Sequence, residues 1–240
     1  MLEEWDDRVR VLPQSFDSLN NRFNPVTEVH TEAVYILDDD VFIDIDDLDF
    51  TFKVWQQGNN KDSIVGHFPR IHQYNPDTHE VVYKVANKDT YSMVLTKSMF
   101  VRTEYLFAYT CLMDRKVHHA IDTWTNCEDI AFNMMVSGLP GAPAIAVTPQ
   151  NYIIDFGLKN GISTNLQHMG SRSECVEHFI TNYWNGKDPL LVSSTAVVPY
   201  HRPTIRRGSW HKIEQVLDRY HLPTTEQAAS ATAVTTPASS

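Results

Sequence analysis

The stretch Ala33-Val34-Tyr35-Ile36-Leu37-Asp38-Asp39-Asp40 decides the fold class and indicates where the chemistry lies. Its five apolar residues are typical of a short buried β-strand. Three aspartates follow directly, so they are expected at the carboxyl end of that strand. Ligands bind at this edge in open α/β sheets. The stretch therefore predicts an α/β fold with an acidic site at a strand end.

The acidic triplet has two physical interpretations. Three consecutive carboxylates repel one another unless a positive charge lies among them. Mn²⁺ or Mg²⁺ would compensate that repulsion, because both prefer oxygen ligands and are often coordinated by substrate phosphates as well. The other interpretation is a solvated acidic turn with a helix cap at Asp44 or Asp46. The residues alone leave both interpretations open.

Strands and helices are predicted to alternate along the rest of the chain. The segment from Asp46 to Gln57 predicts a helix that ends at Gly58. Further strands are predicted at 64–68, 91–95 and 144–147, and further helices at 103–112, 130–137, 174–185 and 210–220. This alternation favours an α/β layered fold over a bundle or a sandwich.

Composition excludes several classes of protein. The 240 residues carry 20 Lys and Arg against 30 Asp and Glu, a formal charge of −10. A nucleic-acid-binding surface over the whole molecule is therefore not expected. A hydrophobic content of 42% excludes general disorder, and no apolar run is long enough for a membrane span. Residues 223–240 lack an apolar period and predict a disordered tail.

A second acidic group, Asn126-Cys127-Glu128-Asp129, is predicted to open a helix. Asn126 can cap this helix, and Asp129 completes a pattern like a capping box. Capping alone explains these residues. The functional interpretation is a carboxylate that the helix dipole keeps ionised beside an electrophilic centre.

A similar capping pattern, Ser171 with Glu174, is predicted to start the helix that follows. His168 and Arg172 lie at its entrance, where a cation could bind a phosphate. A surface ion pair is the alternative interpretation for Arg172.

Taken together, these segments resemble the exostosin-type glycosyltransferases of family 64. The matching pieces are SLNNRFNP at 18–25, AVYILDDDV at 33–41, FKVWQQ, IVGHFPR, YSMVLTKSMF, NCEDIAFN, NGIS and the pattern H-x-x-x-R-x-x-C at 168–175. They stand in the family's order over roughly residues 15 to 192. As a set these motifs are specific, and they favour the metal interpretation of the triplet.

The resemblance implies a GT-A type, Rossmann-like nucleotide-diphospho-sugar transferase fold that uses Mn²⁺ (or Mg²⁺) and a UDP-sugar donor. It implies that Asn21 and Arg22 contact the uridine and its phosphates. Asp38 would hydrogen-bond the donor ribose or sugar, Asp39 would support the site, and Asp40 would ligate the metal.

On the sugar side, the resemblance implies that Glu128 and Asp129 lie beside the transferred sugar. Asp129 would orient acceptor and donor, and Arg172 would lie near the pyrophosphate. Cys127 and Cys175 match the family's disulfide pair, which implies a Golgi or endoplasmic reticulum lumen, with membrane association common in the family. Cys111 is then the free thiol.

The chain also departs from the family pattern in two places. Family domains begin with an apolar strand well upstream of SLNNRF, whereas only 17 residues precede that segment here, so the first βα unit is expected to be absent. Asn165 stands in the segment where members often carry an arginine. The expected organisation is therefore an N-terminally incomplete transferase domain at 1–222 and the tail at 223–240.

The leading functional hypothesis is a retaining, Mn²⁺-dependent transferase. It would move N-acetylhexosamine, or a related sugar, from a UDP donor to a glycan or glycoprotein acceptor. The alternative is a catalytically impaired glycosyltransferase-like binding or scaffold protein, which the two departures favour. A third hypothesis, a simple acidic Ca²⁺-binding module, lacks the ligand spacing of an EF-hand.

Overall fold

A computed structural model describes residues 9–75, 77–78, 80–86, 90–157, 166–194, 196–197 and 206–207, with the backbone alone at 166–169 and 206–207. Four predictions fall outside these residues: the helix at 210–220, the position of Asn165, the side chain of His168, and the tail at 223–240.

Strands and helices alternate along the described chain. The strands are β1 (Ala33–Leu37), β2 (Val41–Phe42), β3 (Val65–Gly66), β4 (Pro69–Tyr74), β5 (Val81–Val85), β6 (Met93–Val94), β7 (Ser98–Arg102), β8 (Ile145–Ala146), β9 (Ile154–Asp155) and β10 (Arg206–Arg207). The α-helices are α1 (Ile45–Gln56), α2 (Thr103–Phe107), α3 (Arg115–Trp124), α4 (Glu128–Gly138) and α5 (Leu166–Tyr183). Short 3₁₀-helices cover Leu19–Phe23 and Gly58–Asp62, and one π-helical turn, Ala108–Leu112, follows α2. The mixed α/β class is thus as expected.

The strands form one four-stranded and two three-stranded sheets. The larger sheet has the order β1-β7-β3-β8, in which β7 is antiparallel to β1 and β3, while β3 and β8 are parallel. The smaller sheets have the orders β10-β9-β2 and β5-β4-β6. Strand β2 follows β1 after the acidic triplet, so the triplet forms the connection between two sheets.

Strand β1 occupies its predicted residues, but the prediction that it is buried was wrong. Residues 33–36 are half-buried and Leu37 is 42% exposed. The physical reason is its position, because within the described residues β1 lies at the edge of its sheet and pairs on one side alone, with β7. An edge strand is covered less completely than a central one.

Helix α1 forms next to the triplet as the sequence predicts. The Asp44 carboxylate caps it by accepting a hydrogen bond from the backbone N–H of Asp46, 3.1 Å away. Trp55 is fully buried in a cluster with residues of β3 and β7. The cap and this apolar contact fix the residues that follow the triplet.

Helix α4 lies in the centre of the hydrophobic core. Residues 128–137 are all buried, and Phe132 stacks on Phe23 with ring centroids 4.3 Å apart. Phe23 ends the 3₁₀-helix Leu19–Phe23, so this contact brings the SLNNRF segment to the start of α4. None of the helices in the described part of the chain is both long and apolar enough to cross a membrane.

Candidate active site

The acidic triplet is a turn between β1 and β2. The backbone N–H of Asp38 donates to the carbonyl of Lys97, and the carbonyl of Asp38 accepts from Val41. Asp38 and Asp40 are half-buried, whereas Asp39 is exposed. The three carboxylates therefore differ in their exposure to solvent.

Asp38 is bound by an arginine from the SLNNRF segment. Arg22 donates from Nη1 to Asp38 Oδ1 at 2.8 Å and to Thr96 Oγ1 at 3.1 Å. The same Nη1 lies 3.7 Å from Glu128 Oε1, so one guanidinium joins the triplet to the start of α4. Burial lowers the pKa of Arg22, but the carboxylates of Glu128, Asp38 and Asp129 outweigh this and raise it, so Arg22 stays charged.

The start of α4 is built differently from the prediction. The N-cap position belongs to Cys127, which has a left-handed φ of 79° and no capping side chain. The Asn126 side chain instead accepts from the N–H of Cys127 and donates to Ser171. Asp129 accepts from its neighbour Ile130, so the predicted capping box does not form. Both acidic side chains remain available for other contacts.

Asp129 forms a buried ion pair with Arg172 of α5. Arg172 Nη1 donates to Asp129 Oδ2 at 2.6 Å and to the hydroxyl of Tyr83 at 2.9 Å, with the guanidinium 5.5 Å from the Tyr83 ring. Helix α5 begins at Leu166, so Arg172 and Ser171 lie within it. The predicted helix start at Ser171 was therefore wrong.

Among the carboxyl groups of this site, Glu128 has the most strongly raised pKa. Its pKa is raised to about 7, first by burial and then by the neighbouring Asp129 carboxylate, while Arg22 and Arg172 partly offset both effects. Asp129, by contrast, has a guanidinium at hydrogen-bond distance. Two adjacent carboxyl groups are thus held in different environments, an arrangement that separates their chemical roles.

We call Arg22, Asp38, Glu128, Asp129 and Arg172 the charged cluster. The sequence singled out all five residues, and the structure brings them together from four separate segments of the chain. Tyr83, which orients Arg172, was missed, because a tyrosine in the strand Val81–Val85 looks like ordinary packing.

A lysine bridge lies beside the charged cluster and was also missed. Lys97 Nζ lies 2.9 Å from Asp155 Oδ1 and 3.3 Å from Asp40 Oδ1. Burial lowers the pKa of Lys97, but the two carboxylates outweigh this and raise it, so Lys97 is a cation. The only sequence signal for this residue is its place in YSMVLTKSMF, one of the segments that carry the resemblance.

Comparison with known proteins identifies the family. The model of the "Glycosyl transferase family 64 domain" matches residues 3–200. The chain belongs to glycosyl transferase family 64. The exostosin-type resemblance of the sequence is thereby confirmed.

Several relatives in this family are similar over most of this chain. Glycosylinositol phosphorylceramide mannosyl transferase 1 of Arabidopsis thaliana is 35% identical over 189 residues, covering 76% of this chain and 54% of the relative. Exostosin-2 of Mus musculus is 33% identical, covering 77% and 26% respectively. Glycosyltransferase family protein 64 C3 of Arabidopsis thaliana is 35% identical, covering 79% and 60%. The chain thus spans between about a quarter and three-fifths of these relatives.

The described residues of the family 64 domain suit a metal ion that a bound molecule helps to coordinate better than a metal ion that protein side chains alone coordinate. No group of three His, Cys, Asp or Glu side chains within the described residues could enclose an ion. Asp40 Oδ1 is buried and, within the same residues, has no hydrogen-bond partner of good geometry. Mg²⁺-type sites often use one or two carboxylates and complete their coordination with substrate phosphates. Asp40 fits that type of site.

Further buried polar atoms of the charged cluster lack partners in the described part of the chain. They are Arg22 Nε, Arg172 Nε and Glu128 Oε2. Native proteins rarely leave such atoms without a partner from the protein, ordered water or a ligand. Two donors and one acceptor are therefore available to water or to a polar ligand.

The side chain of Asn21, a predicted binding residue, forms hydrogen bonds within its own segment. Its amide donates to the carbonyl of Phe16 at 2.8 Å. Its neighbour Asn20 binds the carbonyl of His118 and the hydroxyl of Tyr109, which secures the SLNNRF segment. In this structure Asn21 therefore supports the segment that carries Arg22.

The two cysteines implied as a pair are joined. Cys127 and Cys175 form a disulfide with Cα atoms 6.3 Å apart, and Cys111 is free and exposed. The bond links the residue before Glu128 to the turn of α5 that follows Arg172. It therefore fixes the two helices at the level of the charged cluster.

A cavity of about 650 Å³ lies at the other end of α4. Apolar side chains such as Leu112, Met135, Leu139 and Trp184 contribute to its lining. The described lining includes no residue of the charged cluster. The cavity is therefore separate from the charged cluster.

Proposed function

We propose that this chain is a retaining glycosyltransferase domain with a GT-A type, Rossmann-like fold. It transfers a sugar from a UDP-sugar to a glycan or glycoprotein acceptor, with Mn²⁺ or Mg²⁺ as cofactor. One observation carries the proposal: Arg22, bound to the acidic triplet, also lies next to Glu128 and Asp129 at the start of α4. A donor diphosphate and its sugar need such adjacent cationic and acidic groups.

The diphosphate side of the site consists of Arg22 and the acidic triplet. Arg22 binds phosphate oxygens, and Asp38 hydrogen-bonds the donor ribose or sugar. Asp39, which is exposed, and Asn21, which supports the Arg22 segment, act at the periphery. Asp40 holds the metal, which when bound supplies positive charge to the departing diphosphate.

The sugar side consists of Glu128, Asp129 and Arg172. Arg172 pairs with Asp129 and fixes its orientation, so that Asp129 stabilises the positive charge that develops on the anomeric carbon and orients the acceptor. Glu128, with its pKa near 7, is suited to hold or accept a proton in the same place. Two routes to retention are compatible with this arrangement: Asp129 attacks as a nucleophile, or the acceptor attacks from the side of the leaving group.

The donor sugar is proposed to be an N-acetylhexosamine or a related hexose. A mannosyl donor is the second choice, because one relative is named a mannosyl transferase. The disulfide Cys127–Cys175 supports a location in the oxidising lumen of the endoplasmic reticulum or Golgi, since cytosolic proteins rarely keep disulfides.

A donor-turnover assay tests the proposal. The chain is incubated with Mn²⁺ and a panel of UDP-N-acetylhexosamines, UDP-hexoses and a mannose nucleotide, and nucleotide release is followed. We expect release with one of these donors, and Asp129→Asn should reduce its rate by about 10²-fold or more. Asp49→Asn is the matched control, because Asp49 is an exposed surface residue paired with Lys53.

Release of nucleotide at equal rates by Asp129→Asn and the unmodified chain would contradict the assigned site. Metal-dependent UDP binding without turnover of any donor, measured by calorimetry, would instead support the alternative function, a glycosyltransferase-like binding or scaffold protein.

A further inference from the structure

Lys97 is fixed to the acidic triplet by both its backbone and its side chain. Its carbonyl accepts the N–H of Asp38, while its ammonium group lies between the carboxylates of Asp155 and Asp40. The Lys97 and Asp155 side chains are only 14% and 2% exposed. A buried lysine held in this way has little freedom to leave, and Asp155 is its closer partner.

Gly157 completes the environment of the Asp40 carboxylate. A Cβ atom on Gly157 would lie 2.0 Å from Asp40 Oδ2 and 3.0 Å from Lys97 Nζ. No larger residue fits there unless Asp40 moves. The carboxylate is thus confined between a glycine backbone on one side and an ammonium group on the other.

We propose that Lys97 is a resident counter-cation for Asp40 and a positioning residue that makes divalent-metal binding depend on the diphosphate. This inference rests on the proposed function, in which Asp40 is the metal ligand. With Lys97 in place, the charge of Asp40 is already balanced in the free protein. A bare divalent ion therefore gains little from Asp40 and is repelled by the ammonium group.

A diphosphate removes this barrier, because its negative charges add to that of Asp40 and outweigh the repulsion from Lys97. Asp155 retains Lys97 when Asp40 turns towards a new partner, since Lys97 is already closer to Asp155 than to Asp40. Metal and nucleotide should accordingly bind together. A lysine with a purely structural role would have no such effect on metal affinity.

The test is Mn²⁺ binding without turnover, followed by electron paramagnetic resonance of the free ion. The chain, Lys97→Met and Lys97→Arg are titrated with Mn²⁺ in the absence and in the presence of UDP. We expect Lys97→Met to bind Mn²⁺ about tenfold or more tightly without UDP, because a unit charge close to the ion is gone. UDP should then improve Mn²⁺ affinity less than in the unmodified chain, and Lys97→Arg should behave like the unmodified chain.

A double variant keeps the test informative if Lys97→Met alone is unstable. Lys97→Met leaves the buried Asp155 carboxylate unpaired, whereas Lys97→Met with Asp155→Asn removes both charges and should keep the thermal melting temperature closer to that of the unmodified chain. It should still bind free Mn²⁺ more tightly. Lys53→Met, at an exposed pair, is the control and should leave Mn²⁺ affinity unchanged.

Gly157→Ala tests the side of the Asp40 carboxylate that faces Gly157. Its added methyl group must displace the Asp40 carboxylate, so we expect about tenfold weaker Mn²⁺ binding in the presence of UDP.

Mn²⁺ binding without UDP that is equal to or weaker than that of the unmodified chain, in folded Lys97→Met and in the folded double variant with Asp155→Asn, would overturn the proposal. So would an absence of Mn²⁺ binding by every variant. The proposed function fails differently, through a lack of nucleotide release from all donors, which these titrations do not measure.

Discussion

Arg172 and Asp129 lie 43 residues apart in sequence and are joined by a 2.6 Å hydrogen bond between Nη1 and Oδ2. The disulfide Cys127–Cys175 links the same two helices beside this ion pair. Helices α4 and α5 are thus linked twice at the same level. In sequence, Glu128 lies between Cys127 and Asp129, the two residues that form these links. The geometry of the proposed sugar side depends on this double connection.

The ion pair gives the first prediction. Arg172→Met should lower the free energy of unfolding by about 3–5 kcal/mol, because it leaves the buried Asp129 carboxylate without a partner. Turnover should fall by about 10²-fold or more, because Asp129 loses its fixed orientation. Urea unfolding and nucleotide release measure the two effects.

Two variants calibrate this result. Arg172→Lys keeps the charge but cannot bind Asp129 and Tyr83 with the same planar group, so it should recover part of the stability and little of the turnover. Lys53→Met should change stability by less than about 1 kcal/mol, since its pair with Asp49 is exposed. If Arg172→Met kept as much turnover as Lys53→Met, Arg172 would not support the reaction.

The disulfide gives the second prediction. Replacing Cys127 and Cys175 by alanine should cost about 4 kcal/mol of stability, as expected when a closed loop of 48 residues is opened in the unfolded chain. Unfolding in urea at equal protein concentration measures this loss. Cys111→Ser is the control and should match the unmodified chain, because Cys111 is free and exposed. A double alanine variant as stable as Cys111→Ser would contradict the prediction.

Local sequence predicted the elements of the segment from Ala33 to Gln56, because their determinants lie within it, whereas the exposure of the strand depends on its place at the sheet edge. The strand is apolar, three aspartates end it, and Asp44 caps the helix that follows. The five residues of the charged cluster were also identified, since their acidic and basic side chains stand out in motifs. Their mutual contacts could not be predicted, because those contacts depend on chain segments far apart in sequence.

Residues that act through long-range contacts were missed. Strand β4 lacks an alternating apolar pattern because its inward residue is His72, which is buried by contacts with Ser92 and Asp188. The cap expected at Asn126 failed for a related reason. The chain turns at Cys127, which has a left-handed backbone and forms a disulfide with Cys175 of α5. No local pattern reveals such constraints.

Gly66 gives the third prediction, which concerns the sheet. A Cβ atom there would lie 2.2 Å from the carbonyl oxygen of Ser98 and 2.7 Å from Cα of Met99, both backbone atoms of β7. Backbone in a central strand cannot move aside, so Gly66→Ala should destabilise the protein by about 2 kcal/mol or more. Thermal unfolding measures the change.

Gly170→Ala is the matched control for Gly66→Ala. Gly170 lies inside α5 with nothing within 4 Å of its added methyl group, so alanine should stabilise the helix by about 0.5–1 kcal/mol. Opposite signs for the two substitutions are expected. Equal effects would mean that the close approach of β3 and β7 does not matter.

Glu128 gives the last prediction, a pH dependence of stability. Burial, with the Asp129 carboxylate, raises its pKa to about 7 in the folded protein, above the ordinary value of 4.5. The folded state therefore binds more protons than the unfolded state between these values. The contribution of protonated Glu128 to stability is complete below pH 4.5 and is lost as the pH rises through 7.

Glu128→Gln removes this titration, so the stability of the unmodified chain relative to Glu128→Gln should fall by roughly 3 kcal/mol between pH 4.5 and pH 8. Urea unfolding at a series of pH values gives this difference directly. Glu104→Gln, at a side chain that is 79% exposed, is the control and should follow the unmodified chain at every pH. A constant difference between Glu128→Gln and the unmodified chain would show that Glu128 titrates as an ordinary carboxyl group. It would then lack the near-neutral pKa that suits it to exchange a proton beside Asp129.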